Sequence, residues 1–159
     1  MISTSNRAGN SPSNLRFIQT ERPLVDETLE VLASLNEELP RLSPKYFYDS
    51  RGSELFEEIT ALPEYYLTRS EAEIFDQHLD DIAQALGRGD IIIEPGSGNC
   101  SKVRPLLKRA APSAYIPIDI AGEFLWAAAA NTALEHPNLG VTAIAADFTQ
   151  SWTFLEEIP

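Results

Sequence analysis

The sequence predicts an α/β fold, the first half of a doubly wound parallel sheet preceded by a helical segment. Three apolar runs are typical of strands, "DIIIE" at 90–94, "AYIPID" at 114–119 and "GVTAIAADF" at 140–148. The stretches between them, 101–111 and 121–134, have helical patterns. A β-α-β-α-β order implies parallel strands with right-handed crossovers. The three consecutive isoleucines of the first run predict a strand covered on both faces.

The chain is expected to have three parts. Residues 1–20 are rich in Ser, Asn, Gly and Thr with little to bury, which predicts a disordered tail. Residues 21–88 form a helical segment, and residues 89–159 form the first part of the sheet domain. Within the helical segment, helices are predicted at 23–38 and 53–61, separated by a loop with two prolines.

The clearest helix is predicted at 68–86. Thr68 and Glu71 fit a capping box, in which each side chain satisfies a free amide at the helix start. Gly87 is a natural stop at the other end. The following apolar residues form one stripe at helical spacing: Phe75, Leu79, Ile82 and Leu86.

Composition limits the possible partners and compartment. The 159 residues suit one domain, and no apolar run approaches the ~20 residues that span a bilayer. The formal net charge of −12, from 12 basic and 24 acidic residues, disfavours a nucleic-acid partner. A single cysteine excludes an internal disulfide framework, and the N-terminus has no secretory pattern, so a cytoplasmic protein is expected.

Two glycines follow the first predicted strand and indicate a tight turn. Gly96 and Gly98 match the start of a dinucleotide fingerprint, but the third glycine of that pattern is replaced by Ser101. A phosphate loop of the GxxxxGK type is also absent from the sequence. The turn therefore favours a ligand other than a pyrophosphate.

Acidic residues end all three predicted strands. Ligands of such sheets bind at the carboxyl ends of the strands, where Glu94, Asp119 and Asp147 are expected to meet. Carboxylates suit a cationic ligand with hydroxyl groups, and an adenosine carrying a positive sulfonium has this chemistry. Asp119 follows Gly98 by 21 positions, close to the ~20 expected of an acid that binds a ribose.

Four stretches of the sequence are similar to the histidine-specific S-adenosylmethionine-dependent methyltransferases. They are "PKYFYDSRGSELFEEITALPEYYLTRSEAEI" at 44–74, "EPGSGNCSKVR", "YIPIDI" and "AADF". The resemblance implies a partial Rossmann-like class I methyltransferase sheet, with the helical segment supplying a loop on the substrate side. It implies N-methylation of the α-amine of an amino acid, with histidine converted to trimethylhistidine on the ergothioneine route.

The resemblance also implies roles for individual positions. Lys102 would hold the cofactor's carboxylate, and Asp119 would bind its ribose. Asp147 would accept a hydrogen bond from the adenine amine, and the backbone of Phe148 would also contact the adenine. Tyr65 and Tyr48 would contact the amino-acid substrate. The expected S-adenosylmethionine site comprises Glu94, Gly96, Gly98, Lys102, Asp119, Asp147 and Phe148. No residue is assigned as a catalytic base, and no metal site is expected.

Other interpretations remain open at this point. The tyrosines are also compatible with core packing, and Cys100 is interpreted as a small turn residue. The chain ends before a fourth strand, so an incomplete enzyme is expected, with the "IIIE" strand at an exposed edge that favours self-association. Alternative functions are a non-catalytic cofactor-binding or interaction fragment that pairs with another chain, and a methyltransferase for a different small-molecule amine.

Overall fold

A five-stranded sheet is the centre of the computed structural model, which describes residues 2–3, 11–20, 27–149, 152–153 and 155. The strands are β1 (Ile2–Ser3), β2 (Leu15–Thr20), β3 (Ile91–Pro95), β4 (Ala114–Asp119) and β5 (Gly140–Ala145), in the spatial order β1-β2-β5-β4-β3. All neighbours are parallel except β1 and β2. The predicted α/β fold is confirmed, and so is the predicted arrangement of β5, β4 and β3.

Helices α4 (Arg104–Ala110) and α5 (Gly122–Glu135) are the crossovers between β3, β4 and β5. One face of the sheet presents Tyr115, Val141 and Ala143, which are buried in one cluster with Leu107 of α4 and Leu125 of α5. The second face has its own buried cluster, which contains Ile18, Ile116, Ile118 and Ile144. The predicted helix at 101–111 begins only at Arg104, because residues 101–103 form a turn.

The prediction of a disordered tail through residue 20 is wrong for Leu15–Thr20. This segment is strand β2, which lies parallel to β5 and buries Phe17 and Ile18. Asn14 anchors its start, because Nδ2 of this side chain lies 2.8 to 3.1 Å from three backbone carbonyls around the end of α5. Composition averaged over 20 residues hides so short an apolar run.

Three helices form the N-terminal helical segment, α1 (Glu27–Leu35), α2 (Ser50–Thr60) and α3 (Leu67–Leu86), with a short 3₁₀ turn at Pro44–Phe47. Residues 23–26 of the first predicted helix lie outside the described residues. The predicted apolar stripe of α3 is confirmed for Phe75, Leu79 and Ile82, which pack against Leu106 and Ala110 of α4.

The predicted capping box at the start of α3 is wrong. The helix begins at Leu67, its N-cap is Tyr66, and no side chain caps it. Thr68 therefore lies inside the helix, two residues after the N-cap position. Glu71 is consequently left for a different contact, with Lys102.

Strand β3 lies at the edge of the sheet that the described residues form. Ile92 packs against the core, whereas Ile91 and Ile93 point to the other face and are 52% and 42% exposed. The prediction that both faces of this strand are covered is therefore wrong within the described part of the chain. An edge position with one apolar face open explains the difference, since three isoleucines fit either environment.

Candidate functional site

The turn after β3 has the backbone conformation that its glycines allow. Gly96 and Gly98 have φ angles of 70° and 51°, in the left-handed region where side chains cause strain. The N–H of Gly96 donates to the carbonyl of Ile118 at 2.8 Å, which holds the turn against β4. A Cβ atom on Gly98 would meet nothing within 4 Å, so a ligand can approach this part of the backbone.

Asp119 joins the ends of two strands. Its Oδ2 accepts from the N–H of Gly98 and its Oδ1 from the N–H of Ala121, both at 2.9 Å. The side chain is buried at the strand end but still lines the cavity described below. A carboxylate has about four acceptor positions, so two remain for hydroxyl groups of a ligand.

Asp147 lies two residues beyond the end of β5, in the loop that follows the strand. Its Oδ1 accepts from the N–H of Thr149 at 3.0 Å and from the Thr149 hydroxyl at 2.6 Å. The ring of Phe148 lies about 3.6 Å from the Cβ position of Gly96, so this loop touches the glycine turn. The structure therefore brings the predicted residues of the first and third strands together.

A cavity of about 580 Å³ opens above these strand ends. The sheet supplies Gly96, Gly98, Lys102, Asp119, Asp147 and Phe148 to its wall. The helical segment supplies the opposite wall, including Tyr48, Phe56 and Tyr65. The rings of Phe56 and Tyr65 meet edge to face, with centroids 5.9 Å apart, which favours this orientation of the Tyr65 ring.

Glu94 is the one predicted site residue that does not line the cavity. Its carboxylate accepts a short hydrogen bond from the hydroxyl of Tyr115, a buried residue of β4. Burial raises the pKa of Glu94, and the bond from Tyr115 and the charge of Lys102 oppose this effect. Burial also raises the pKa of the nearby Cys100 thiol to about 11, which supports the interpretation of Cys100 as a neutral turn residue.

Two contacts between the helical segment and the turn were missed by sequence reasoning. Asn99 Nδ2 donates to Glu57 of α2 at 2.9 Å, and Lys102 Nζ forms a 2.9 Å ion pair with Glu71 of α3. Both glutamates line the cavity. No sequence signal distinguishes Glu57 from the neighbouring Glu58, whereas the sequence pattern around Glu71 predicts helix capping and not this ion pair.

The cavity wall has an excess of negative charge. Glu57, Glu71, Asp119 and Asp147 line it against the ammonium groups of Lys45 and Lys102 alone. Lys45 is itself paired, with Glu30 of α1, at 2.7 Å. Such a wall suits a ligand that carries positive charge and hydroxyl groups.

The described residues contain neither a metal-binding cluster nor a membrane-spanning helix. No group of three or more His, Cys, Asp or Glu side chains in that part of the chain is arranged to hold a metal ion. Among the same residues, no helix has both the length and the apolarity needed to cross a bilayer.

Known proteins with similar sequences agree with the geometry. A family model described as histidine-specific methyltransferase, SAM-dependent, matches residues 27–159. Histidine N-alpha-methyltransferases of Mycobacterium tuberculosis and Mycolicibacterium smegmatis are 39% and 38% identical, over 82% and 76% of this chain. A 4-dimethylallyltryptophan N-methyltransferase of Claviceps fusiformis is 31% identical over 62% of this chain and 27% of its own length.

The chain spans about two fifths of the length of the mycobacterial relatives, 40% and 39% respectively. The family match covers nearly all of the chain after the N-terminal strands. It includes the glycine turn, the strand ends and both cavity tyrosines, Tyr48 and Tyr65. The resemblance read from the sequence is therefore confirmed, and this chain belongs to the family of histidine-specific, S-adenosylmethionine-dependent methyltransferases.

Proposed function

We propose that this chain binds S-adenosylmethionine and the amino-acid substrate in the methylation of the α-amine of histidine. The observation that carries the proposal is one cavity between the strand ends and the helical segment, lined by Asp119 and Asp147 on the sheet side and by Tyr48 and Tyr65 on the helical side. Family membership supports the same reaction class. The proposal includes successive transfers that lead to trimethylhistidine.

The residues of the cavity fit this cofactor. Asp119 keeps two acceptor positions that suit the ribose hydroxyls, and we assign the adenine contacts to Asp147 and the backbone of Phe148, which line the same cavity. Lys102 offers a cation for the carboxylate. The open space at Gly98 allows close approach of the backbone. When bound, the cofactor supplies a methyl group on a positively charged sulfur.

This chain's own contribution to the reaction is orientation. The substrate amine must be neutral, with its lone pair directed at the methyl carbon, and correct placement of two reactants lowers the barrier strongly. The ring of Tyr65 packs edge to face against Phe56, which favours one orientation of this ring at the cavity wall. Tyr48 lines the same wall. No side chain of this chain is proposed as a catalytic base.

A second candidate substrate is a different small-molecule amine. The Claviceps fusiformis relative, whose name describes N-methylation of 4-dimethylallyltryptophan, favours this alternative. The apolar part of the wall, with Phe56, Leu67 and Phe124, is compatible with a larger aromatic amine. Both candidates share the cofactor site and differ only in the substrate pocket.

The test has two stages on the 159-residue chain. Calorimetry first measures binding of S-adenosylhomocysteine, and absence of binding would overturn the proposed cofactor site. Transfer of labelled methyl from S-adenosylmethionine is then measured with histidine and, separately, with 4-dimethylallyltryptophan, using mass spectrometry to count the added methyl groups. Labelling of histidine supports the first candidate, and labelling of the tryptophan derivative alone supports the second. Binding without labelling of either amine would favour a non-catalytic cofactor-binding fragment.

A further inference from the structure

Glu71 has no role that its helix explains. The start of α3 uses no side-chain cap, so Glu71 does not satisfy a backbone amide there. Instead its carboxylate lies in the cavity wall and pairs with Lys102, with 2.9 Å between Oε2 and Nζ. The two partners come from different parts of the chain, helix α3 and the segment after the glycine turn.

The pair is open to a ligand. The side chains of Lys102 and Glu71 are 51% and 44% exposed, so neither charge is sealed from the cavity. An exposed ion pair of this kind contributes little to stability, because solvent screens it and ordering two long side chains costs entropy. Its position in the wall is therefore better explained by ligand binding than by folding.

Two adjacent, opposite charges match a zwitterion. The amino-acid end of the cofactor carries an α-ammonium and an α-carboxylate on one carbon atom. Lys102 complements the carboxylate, and Glu71 lies within contact distance of Lys102 to complement the ammonium. Hydrogen bonds between charged partners are about twice as strong as neutral ones, so both charges contribute to affinity.

Histidine is also a zwitterion, but the chemistry disfavours it as the partner of Glu71. A carboxylate next to an amine stabilises the protonated form of that amine. The substrate's amine must lose its proton to attack the methyl group, whereas the cofactor's ammonium remains charged throughout. Lys102 also follows Gly98 by only four residues, at the turn where the cofactor is proposed to bind. This position favours the cofactor as the ligand of the pair.

We propose that Glu71 binds the α-ammonium group of the cofactor's amino-acid end while Lys102 binds its α-carboxylate. This inference rests on the proposed function, since it names a further ligand in the same cofactor site. In the absence of ligand the two residues neutralise each other, and binding exchanges this pair for two pairs with the ligand.

The experiment compares Glu71→Gln with the matched control Glu73→Gln, which removes the same charge from an exposed position of the same helix that does not line the cavity. Three ligands are titrated by calorimetry. They are S-adenosylhomocysteine, its analogue without the α-amino group, and 5′-deoxy-5′-methylthioadenosine, which lacks the whole amino-acid end.

Glu71→Gln is expected to weaken the binding of S-adenosylhomocysteine roughly tenfold or more, because a charge-assisted hydrogen bond is lost. Its affinity for the two truncated ligands should stay within about twofold of wild type, a margin well below the loss of such a bond. Glu73→Gln should match wild type for all three ligands. Equal weakening of all three ligands would mean that Glu71 only shapes the turn, and unchanged affinity for S-adenosylhomocysteine would also overturn the inference.

Glu71→Asp guards against a variant that fails to fold, because it keeps the charge and shortens its reach. It is expected to give an intermediate loss that is confined to S-adenosylhomocysteine. The failure of the wider proposal is distinguishable, since wild type would then bind none of the three ligands. If wild type binds the ligands and Glu71→Gln binds all three with the same affinities as wild type, only the role of Glu71 is rejected.

Discussion

The backbone N–H of Gly98 donates a 2.9 Å hydrogen bond to Oδ2 of Asp119, so the turn after β3 is fixed by the last residue of β4. The other oxygen of Asp119 holds the N–H of Ala121 just before α5. One carboxylate therefore sets the spacing between the glycine turn and the next helix. A ligand that binds the remaining acceptor positions of Asp119 therefore binds a site whose backbone is already positioned.

Asp119→Ala is expected to weaken binding of S-adenosylhomocysteine by ~1–3 kcal/mol, because ligand hydroxyls and two backbone amides lose their acceptor. Calorimetry on the folded variant measures the loss. Asp81→Ala is the matched control, since Asp81 is an exposed carboxylate of α3 that does not line the cavity. Unchanged affinity in Asp119→Ala would refute the ribose assignment.

Tyr65→Phe is expected to weaken histidine binding about 5- to 10-fold, the effect of about one hydrogen bond, while cofactor affinity stays near wild type. The remaining ring still meets Phe56 edge to face, so the pocket keeps its shape. Histidine titration in the presence of saturating S-adenosylhomocysteine measures the change. Tyr66→Phe serves as control, because Tyr66 is exposed and does not line the cavity. A loss of both affinities together with a lower melting temperature would identify Tyr65 as a packing residue.

Glu94→Gln is expected to stabilise the protein at neutral pH. Burial raises the pKa of Glu94 above its ordinary value of 4.5, so the folded state binds the proton more tightly than the unfolded state. The stability that this provides is present below the unfolded pKa and is lost as pH rises through the folded pKa. Glutamine avoids a charge at this half-buried position, so its advantage should be near zero at pH ~4 and positive at pH ~7.

Urea unfolding of wild type and Glu94→Gln across this pH range measures the difference. The exposed Glu58→Gln controls for the change in net charge. An advantage of Glu94→Gln that does not depend on pH would show that the titration of Glu94 is not its source.

Ile93→Lys is expected to reduce any self-association of the chain. Ile93 is exposed on edge strand β3, and a lysine on an edge strand opposes pairing with a second strand. Light scattering over a concentration series measures the effect. Ile74→Lys alters an exposed isoleucine on helix α3 and is the control. An equal effect of both variants would point to a general apolar surface rather than to strand pairing.

The strand ends were predictable because they depend on local pattern and on one topological rule. Apolar runs that end in or near acids predicted β3, β4 and β5, and the rule that parallel strands share an edge placed Asp119 beside the glycine turn. The structure bears this out in the bond between Gly98 and Asp119. The cavity also contains Tyr48 and Tyr65, which the family resemblance had assigned to the substrate.

Contacts between distant segments were not predictable in the same way. Nothing near Glu57 in the sequence indicates its bond to Asn99, 42 residues later, because that contact depends on how α2 docks on the turn. Strand β2 was missed because its pairing with β5 lies far along the chain. The capping-box pattern at Thr68 failed because α3 begins at Leu67, one residue earlier.

Strand β2 cannot pair with β5 during protein synthesis until β5 has been made. The Thr20 hydroxyl bonds to the carbonyl of Ala145, a residue made 125 positions later. At roughly 5–20 residues per second, β2 leaves the ribosome about 6 to 25 s before its partner strand exists. Phe17 and Ile18 are exposed for that time, while β3 and β4 are already available to pair. Among the described strands of the parallel sheet, the first to be synthesised is therefore the last to dock.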